Sequence, residues 1–464
     1  MAVHPRDGIE FEAVLPIIII GAGACGLTAA LAAHDAGVDA LLLERDPVPQ
    51  GSTALSSGMI PACNTEIQRA LGITDSVDTM AADILSKCHG ETDHDMVRVI
   101  CEQSGPAIDW LTSKHHIPLT LVEGFLYPNH SKLRMHAPAS RLGADLVGAL
   151  TQAVEQTDID IMTNAHVTDL YADEEGRVLG LCVERPDGTT SKLGCEKLIL
   201  ACNGFGGNSE MVGQLIPEMA GGNYFGHIGN QGDAIKWGEA LGAATADLGS
   251  FQGHGSVAHP HGILITWALM MEGGFQVNLN GERFSNEHQG YSEQGRRVMA
   301  EPQGQAWCIY DARLHKLGRD FEDYRLAERG GAVRSAETKA ELAAICGLNA
   351  DVFAETLLDT EKLAAGHGED VFGRDFTTKP ALAAPYYAIK VTGSLFHTQG
   401  GLVVNEHAQV MRADGKPFAN LYAGGGAARG LSGPSDWGYL SGNGLLTAVV
   451  LGRISGRAAA VSMT

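Results

Sequence analysis

Positive charge is scarce in this chain: 33 Lys and Arg face 55 Asp and Glu, a formal net charge of −22. Such an acidic surface repels phosphate backbones and anionic headgroups, which excludes nucleic acid and charged membranes as natural partners. Cysteine motifs are absent: nine cysteines are scattered, with no C-x-x-C pair and no C-x-x-C-H. Zinc, iron–sulfur and c-type haem signatures are thereby excluded, no metal is expected, and the thiols read as reduced. Long apolar runs are missing too. The isoleucine run at 17–20 is far too short to cross a bilayer. The first thirteen residues are mixed and polar and show no signal-peptide pattern, so the cytoplasm is the expected compartment and no membrane span is expected. Internal repeats and low-complexity segments are absent as well.

What is present suits a compact α/β enzyme. Apolar residues make up 44% of the chain, glycines number 59, and 464 residues are enough for two domains. The organising stretch is 14–46. A β-branched run at 14–20 reads as a strand buried on both faces. It ends in Gly21-Ala22-Gly23-Ala24-Cys25-Gly26, the G-x-G-x-x-G spacing. An alanine-rich helix follows from 27 to about 34, and a second strand at 40–43 runs into Glu44. Gly21 makes the tight turn, Gly23 admits a pyrophosphate, and Gly26 allows close helix–strand packing. The helix N-terminus faces the phosphates and Glu44 is placed to accept ribose hydroxyls. Strand, glycines, helix, strand and acid in this order define a dinucleotide-binding unit.

Further along, 51–58 is rich in small residues and follows the second strand as a cofactor-contacting loop would. Helical periodicity covers 65–115. The loop 124–136 offers Tyr127, Arg134 and His136 as alternatives for pocket wall or surface. A helix covers 141–151. Short strands at 158–162, 166–171, 178–184 and near Lys192 read as a meander, and 197–203 as a buried strand closed by the glycine-rich turn 204–208. Residues 229–242 form a loop entering a helix, with Asp233 near its start. Composition changes near 248. The expected division is therefore 1–248 and 386–464 for the dinucleotide domain, with 249–385 as a separate inserted unit. A strand at 386–391, glycine-rich segments and a long final helix at 442–459 complete the first domain.

Together these segments resemble the fumarate reductase/succinate dehydrogenase flavoprotein superfamily along nearly the whole chain. Residues 51–58 look like its GG-x-[ST]-x-x-SGG loop, with Gln50 departing from the first glycine. Residues 201–205 are similar to its A-T-G-G-F turn, 280–287 to N-x-G-x-R-F-x-N-E, 397–401 to H-T-x-G-G, and 421–425 to L-Y-A-A-G. The resemblance implies a Rossmann-like, GR2-type FAD domain with an inserted α+β substrate cap. It implies FAD, with hydride passing between a substrate carbon and flavin N5. Carried over residue by residue, the cofactor contacts are Gly21, Gly23, Ala24, Cys25, Gly26, Glu44, Arg45, Ser52, Thr53, Ser57, Gly58, Val167, Asn203, Gly204, Gly425, Gly442, Asn443 and Leu445. Gly426 stands where the family has an acid.

The departures point to the substrate. Fumarate reductases carry a proton-donating arginine beyond N-E, and that position here is Tyr291. Of the segment that feeds it protons, Thr266 is kept, but Trp267 and Met270 replace the acid and the arginine. The carboxylate-binding arginine of the last segment falls on Tyr439. A dicarboxylate buried without cationic partners is costly. Tyrosines at both places resemble the 3-ketosteroid Δ1-dehydrogenases. In that group one tyrosine removes a proton beside a carbonyl and the other hydrogen-bonds the carbonyl oxygen. The resemblance gives these roles to Tyr291 and Tyr439, with His397 and His254 as substrate contacts carried over from the reductases. The steroid enzymes' P-G-P-G is replaced by 440–443, and they lack the His397 motif. The expected activity is desaturation of a cyclic or steroid-like ketone, or reduction of the matching enone, with an electron partner the sequence leaves open. The alternative is a fumarate reductase-like or tricarballylate dehydrogenase-like enzyme, with Arg134, Arg296 or Arg297 supplying charge. A flavin-bearing electron carrier is a further alternative. The oligomeric state stays open.

Overall fold

In the computed structural model, residues 2–6, 8–124 and 126–463 are described; Phe125 of the 124–136 loop lies outside them. The chain divides into two compact units. The first comprises 1–216, 225–251 and 397–464, the second 217–224 and 252–396.

The first unit is built on a nine-stranded sheet. At its centre lies the strand Ala13–Ile20, whose last four isoleucines are buried. It runs parallel to Ala40–Leu43 on one side and to Thr190–Leu200 on the other. Pro417–Ala423 adds in parallel to the end of Thr190–Leu200. Flanked on both faces, these strands carry the continuous apolar runs of a buried parallel sheet. Two expectations need correction. Asp160–Met162 is not part of the meander; it pairs in parallel with Ala40–Leu43. The pieces expected near Lys192 and at 197–203 form one strand, Thr190–Leu200. Gly194 does not interrupt it, because the glycine serves close packing: a Cβ there would lie 2.9 Å from Val14 Cγ2. The meander consists of His166–Ala172, Val178–Glu184 and the first half of Thr190–Leu200.

The first helix, Ala24–Asp35, is buried from Ala24 through Ala33. A helix apolar all round belongs inside a core. Its partner is the final helix, Asn443–Val461, where Gly452 and Gly456 allow close contact. A Cβ on either would come 2.5 or 2.1 Å from the carbonyl oxygens of Cys25 and Ala29. By length and composition this final helix could cross a bilayer; here it is the core helix that returns the C-terminus to the glycine motif. All nine cysteines are free thiols.

The second unit holds a seven-stranded sheet. Tyr386–Thr398 pairs there with Gln305–Asp311, Val333–Ala336 and Asn223–Tyr224. Those pairings place 386–396 in this unit and not, as expected from the 386 boundary, in the first. They also recruit 217–224, which pattern alone left outside. A buried ionic network fixes the N-x-G-x-R-F-x-N-E segment. Glu287 accepts from Arg374 at 2.8 Å, Arg283 at 3.2 Å and the Gln276 N–H at 2.9 Å. Both arginines hold the carboxyl below its ordinary range against the opposing effect of burial. Glu287→Leu is expected to destabilise the protein by about 3–5 kcal/mol, because it leaves the buried Arg374 guanidinium without its carboxylate while Arg283 keeps Asp370. Urea titration checks this.

Candidate flavin and substrate sites

In the first unit the glycine motif has the geometry its spacing demands. Gly21 takes φ +104°, and a Cβ there would strike the Ala201 oxygen at 2.6 Å. A Cβ on Gly26 would lie 1.8 Å from the Gly21 oxygen. Gly23 is different: a Cβ would meet only Thr53 Oγ1, at 3.5 Å, so its backbone is open to a ligand. Thr53 Oγ1 accepts the Ala24 N–H at 3.1 Å. Glu44 is buried, accepts the Ala22 and Asp46 N–H groups at 2.9 Å each, and has its pKa raised by that burial. The Glu44 carbonyl accepts the Ala165 N–H, which brings the start of the Val167 strand alongside.

The segment 225–232 crosses this region. Ser52 Oγ accepts from the His227 N–H at 3.1 Å and Asn230 Nδ2 at 2.8 Å. His227 pairs with Asp46 at 2.7 Å, and Arg45 donates to the Gly229 oxygen. His227 lies outside every motif and Asn230 within the 229–242 loop, where no spacing marks either as a partner of Ser52. Gly58 takes φ +63° against the Leu142 oxygen. Ser57 is exposed, and its neighbour Ser56 makes the loop's bonds, to the Thr53 oxygen and the Gly58 N–H.

Asn203 explains the missing acid at 426. It adopts φ +65°, and its Oδ1 accepts the Gly204 N–H at 2.8 Å. A Cβ on Gly426 would come 2.1 Å from that oxygen. The amide occupies space that a side chain at 426 would need. Gly204 leaves room for Thr398 Oγ1, 2.0 Å from where its Cβ would lie, and Gly425 abuts Cys25. At the other chain end Gly442 takes φ +87°, with Pro61 2.6 Å from where a Cβ would stand. Asn443 is fully buried, yet neither polar atom of its amide has a hydrogen-bond partner among the described residues. Oδ1 of buried Asp233 is likewise without one. Buried polar groups are seldom left so, and a bound ligand rich in hydrogen-bonding groups would satisfy them. Leu445 packs against the main core.

Tyr439 is buried just after the turn Asp436–Gly438. The segment after it is anchored by His130, whose Nε2 donates to the Ser441 oxygen at 2.9 Å. His397 has its pKa pushed down to about 4 by burial, and its Nδ1 lies 2.7 Å from Gln399 Nε2. Gln399 occupies the unspecified position of H-T-x-G-G, so the pattern gave no reason to weigh it. Arg134 and His136 are not pocket residues. Arg134 is buried against Asp75 at 2.9 Å and also pairs with Asp83; His136 Nε2 meets Thr65 Oγ1 at 2.9 Å. Arg134 is thus spent on structure.

In the second unit His254 and Tyr291 come together. Their rings stack with centroids 4.8 Å apart and planes 21° from parallel. Trp267 meets His254 edge-on at 5.8 Å, and Phe396 at 5.3 Å. His254 Nδ1 accepts the Ser256 N–H at 3.2 Å, so the neutral ring carries its proton on Nε2. Burial pushes its pKa down to about 3. Tyr291 opens the helix Tyr291–Ala300, after Gly290 at φ +144°. Trp267 Nε1 donates to the Glu287 oxygen at 3.2 Å, tying this aromatic wall to the ionic network. Arg297 donates to the Asn286 oxygen at 3.3 Å and to Gln289.

A dinucleotide such as FAD fits the glycine turn, the acid after the second strand and the orphaned amide at the closing helix, and proteins with such a cofactor on this fold are oxidoreductases. Residues 16–445 match the family described as FAD binding domain, and the chain belongs to it. It is 28% identical over 446 residues to a probable fumarate reductase, Ifc3, of Shewanella frigidimarina, covering 96% of this chain and 74% of that one. The open conformation of a flavocytochrome c3 fumarate reductase superposes with a TM-score of 0.83 at 27% identity, covering 98% of this chain and 82% of that one. The 3-ketosteroid-Δ4-(5α)-dehydrogenase of Rhodococcus jostii RHA1, in complex with 4-androstene-3,17-dione, shares the fold. Its TM-score is 0.79 at 23% identity, covering 98% and 99% of the two chains.

Proposed function

We propose that the protein acts on a CH–CH bond beside a ketone carbonyl, desaturating a cyclic or steroid-like ketone or reducing the matching enone. FAD supplies the hydride acceptor or donor. On this reading Glu44 takes the ribose hydroxyls, the backbone of Gly21–Gly26 and Thr53 the pyrophosphate region, and Asn443 the flavin's polar edge. Tyr291 removes the proton beside the carbonyl. It does so as its phenolate, the minor form at neutral pH of a group of pKa about 10; the phenol's own proton is lost to solvent beforehand, and the proton taken from substrate leaves the same way before the next turnover. Tyr439 donates its O–H to the carbonyl oxygen as charge develops there, a role worth about 3–4 kcal/mol. His254 and His397, both neutral, hold substrate oxygens.

The observation that carries the reading is the state of the cationic groups. Of the arginines the carboxylic-acid reading calls on, Arg134 is committed to Asp75 and Asp83 and Arg297 donates to Asn286 and Gln289, and the chemistry-bearing positions hold phenols and neutral imidazoles. Such groups suit a carbonyl compound. The second reading, an enzyme of carboxylic acids, draws support from relatives called fumarate reductases. Anaerobic mixing of the FAD-loaded protein with cyclic ketones and with di- and tricarboxylates separates the two. Bleaching of the flavin by ketones, or reoxidation of the reduced protein by enones, is the expected result. Response to the acids alone rejects the ketone reading.

A further inference from the structure

His397 and Gln399 are held as one assembly in the first unit. Gln399 Nε2 lies 2.7 Å from His397 Nδ1, and Gln399 Oε1 accepts from the Ser432 hydroxyl at 3.1 Å. The backbone fixes Gln399 as well: its N–H donates to the Ser250 oxygen at 2.8 Å, and its carbonyl accepts the Gly430 N–H at 2.7 Å. The residue is 3% exposed. Gly444 leaves space beside the pair, since a Cβ there would stand 3.6 Å from Gln399 Nε2 and 3.8 Å from His397 Nδ1. In this arrangement the amide oxygen accepts from the hydroxyl and the amide nitrogen faces the ring, where it donates. A neutral imidazole that accepts at Nδ1 carries its proton on Nε2.

We propose that Gln399 is a positioning residue that locks His397 in the neutral Nε2–H tautomer, so that the ring offers substrate an uncharged donor and selects a carbonyl oxygen. The proposal rests on the reading that His397 meets the substrate. Burial of the ring lowers its pKa to about 4 against the opposing effect of a hydrogen bond with the Thr398 backbone, and keeps it uncharged at neutral pH. A neutral donor gives a carboxylate a hydrogen bond but no charge compensation, and an unpaired buried carboxylate is costly.

The test uses FAD-loaded protein with ring-15N histidine, the His397 signals being assigned by their loss in His397→Gln. The expected spectrum shows His397 with bare Nδ1 and protonated Nε2. Gln399→Met keeps the side-chain size and removes the donor, so the tautomer bias should be lost. In Gln399→Glu the proton should move to Nδ1, facing the carboxylate, and the ring should titrate at higher pH. In Gln399→Met, kcat/KM for a ketone should fall about tenfold with FAD content unchanged, the worth of one lost hydrogen bond. Protonated Nδ1 in the parent, or an unaltered tautomer in Gln399→Met, overturns the lock. A shifted tautomer with unchanged ketone kinetics in both Gln399→Met and His397→Gln upholds the lock and overturns the assignment of His397 to substrate.

Discussion

Tyr291→Phe is expected to lower turnover of a saturated ketone by about 10²–10⁴-fold while FAD stays bound, the range for loss of a positioned general base. The substitution removes one oxygen and little else. Phenylalanine keeps the stack on His254, centroids 4.8 Å apart, and the packing against the second unit's core. The residues that fit the cofactor belong to the first unit, so FAD content should match the parent. Rapid mixing under anaerobic conditions reads the step directly as the rate of flavin bleaching. An unchanged rate removes Tyr291 from the chemistry. Tyr439→Phe should show a different pattern. It removes an O–H that acts as negative charge grows on oxygen, so kcat should fall more than KM rises, by about 10²–10³-fold. If both variants behave as the parent with ketones, the phenols are wall residues and the carboxylic-acid reading gains.

The division between what could be read from residues alone and what could not has physical causes. The strand at 40–43, the glycine turn and Glu44 were legible because each position is constrained locally, by sheet burial, by φ or by close backbone approach. The family motifs singled out Tyr291 and His397 by spacing alone; the first opens a helix and the second lies on a strand. What stayed hidden depends on partners far away in sequence. Arg134 looked available until Asp75 and Asp83 were found enclosing it. Gly426 looked like a lost acid until the Asn203 amide was found in its place. The strand that includes 386–396 looked like a return to the first domain because its apolar pattern carries no record of which sheet it joins. Residues 217–224 are too short a segment to announce that they cross between units. Gln399 acts through a neighbour, and no motif weighs such a residue.

Acidification is expected to unfold the protein well above the pH at which carboxylates titrate, because several histidines are buried uncharged. His130 and His136 have their pKa values pushed down to about 4, and His254 to about 3, with burial the leading cause in each. The Arg134 guanidinium adds to the effect at His130, which it faces at 3.4 Å. In the unfolded chain each ring titrates near 6.5. Between that value and about 4 the unfolded state therefore binds more protons than the folded one, and stability rises with pH through this window. It is fully present above about 6.5 and is lost on the way down. At pH 5 each ring costs about 2 kcal/mol relative to neutrality, roughly 6 kcal/mol for the three. That sum rivals the whole stability of an ordinary domain, about 5–15 kcal/mol. Glu44 and Asp233 work against the trend, since burial raises their pKa values and they take up protons more readily folded than unfolded. Urea midpoints at pH 7.5 and pH 5 should differ accordingly. His254→Gln, which cannot charge, should reduce the difference by about 2 kcal/mol. Equal midpoints at the two pH values would show that these rings are solvated and able to charge in the folded protein. That result would also remove the neutral-donor character on which the ketone reading relies.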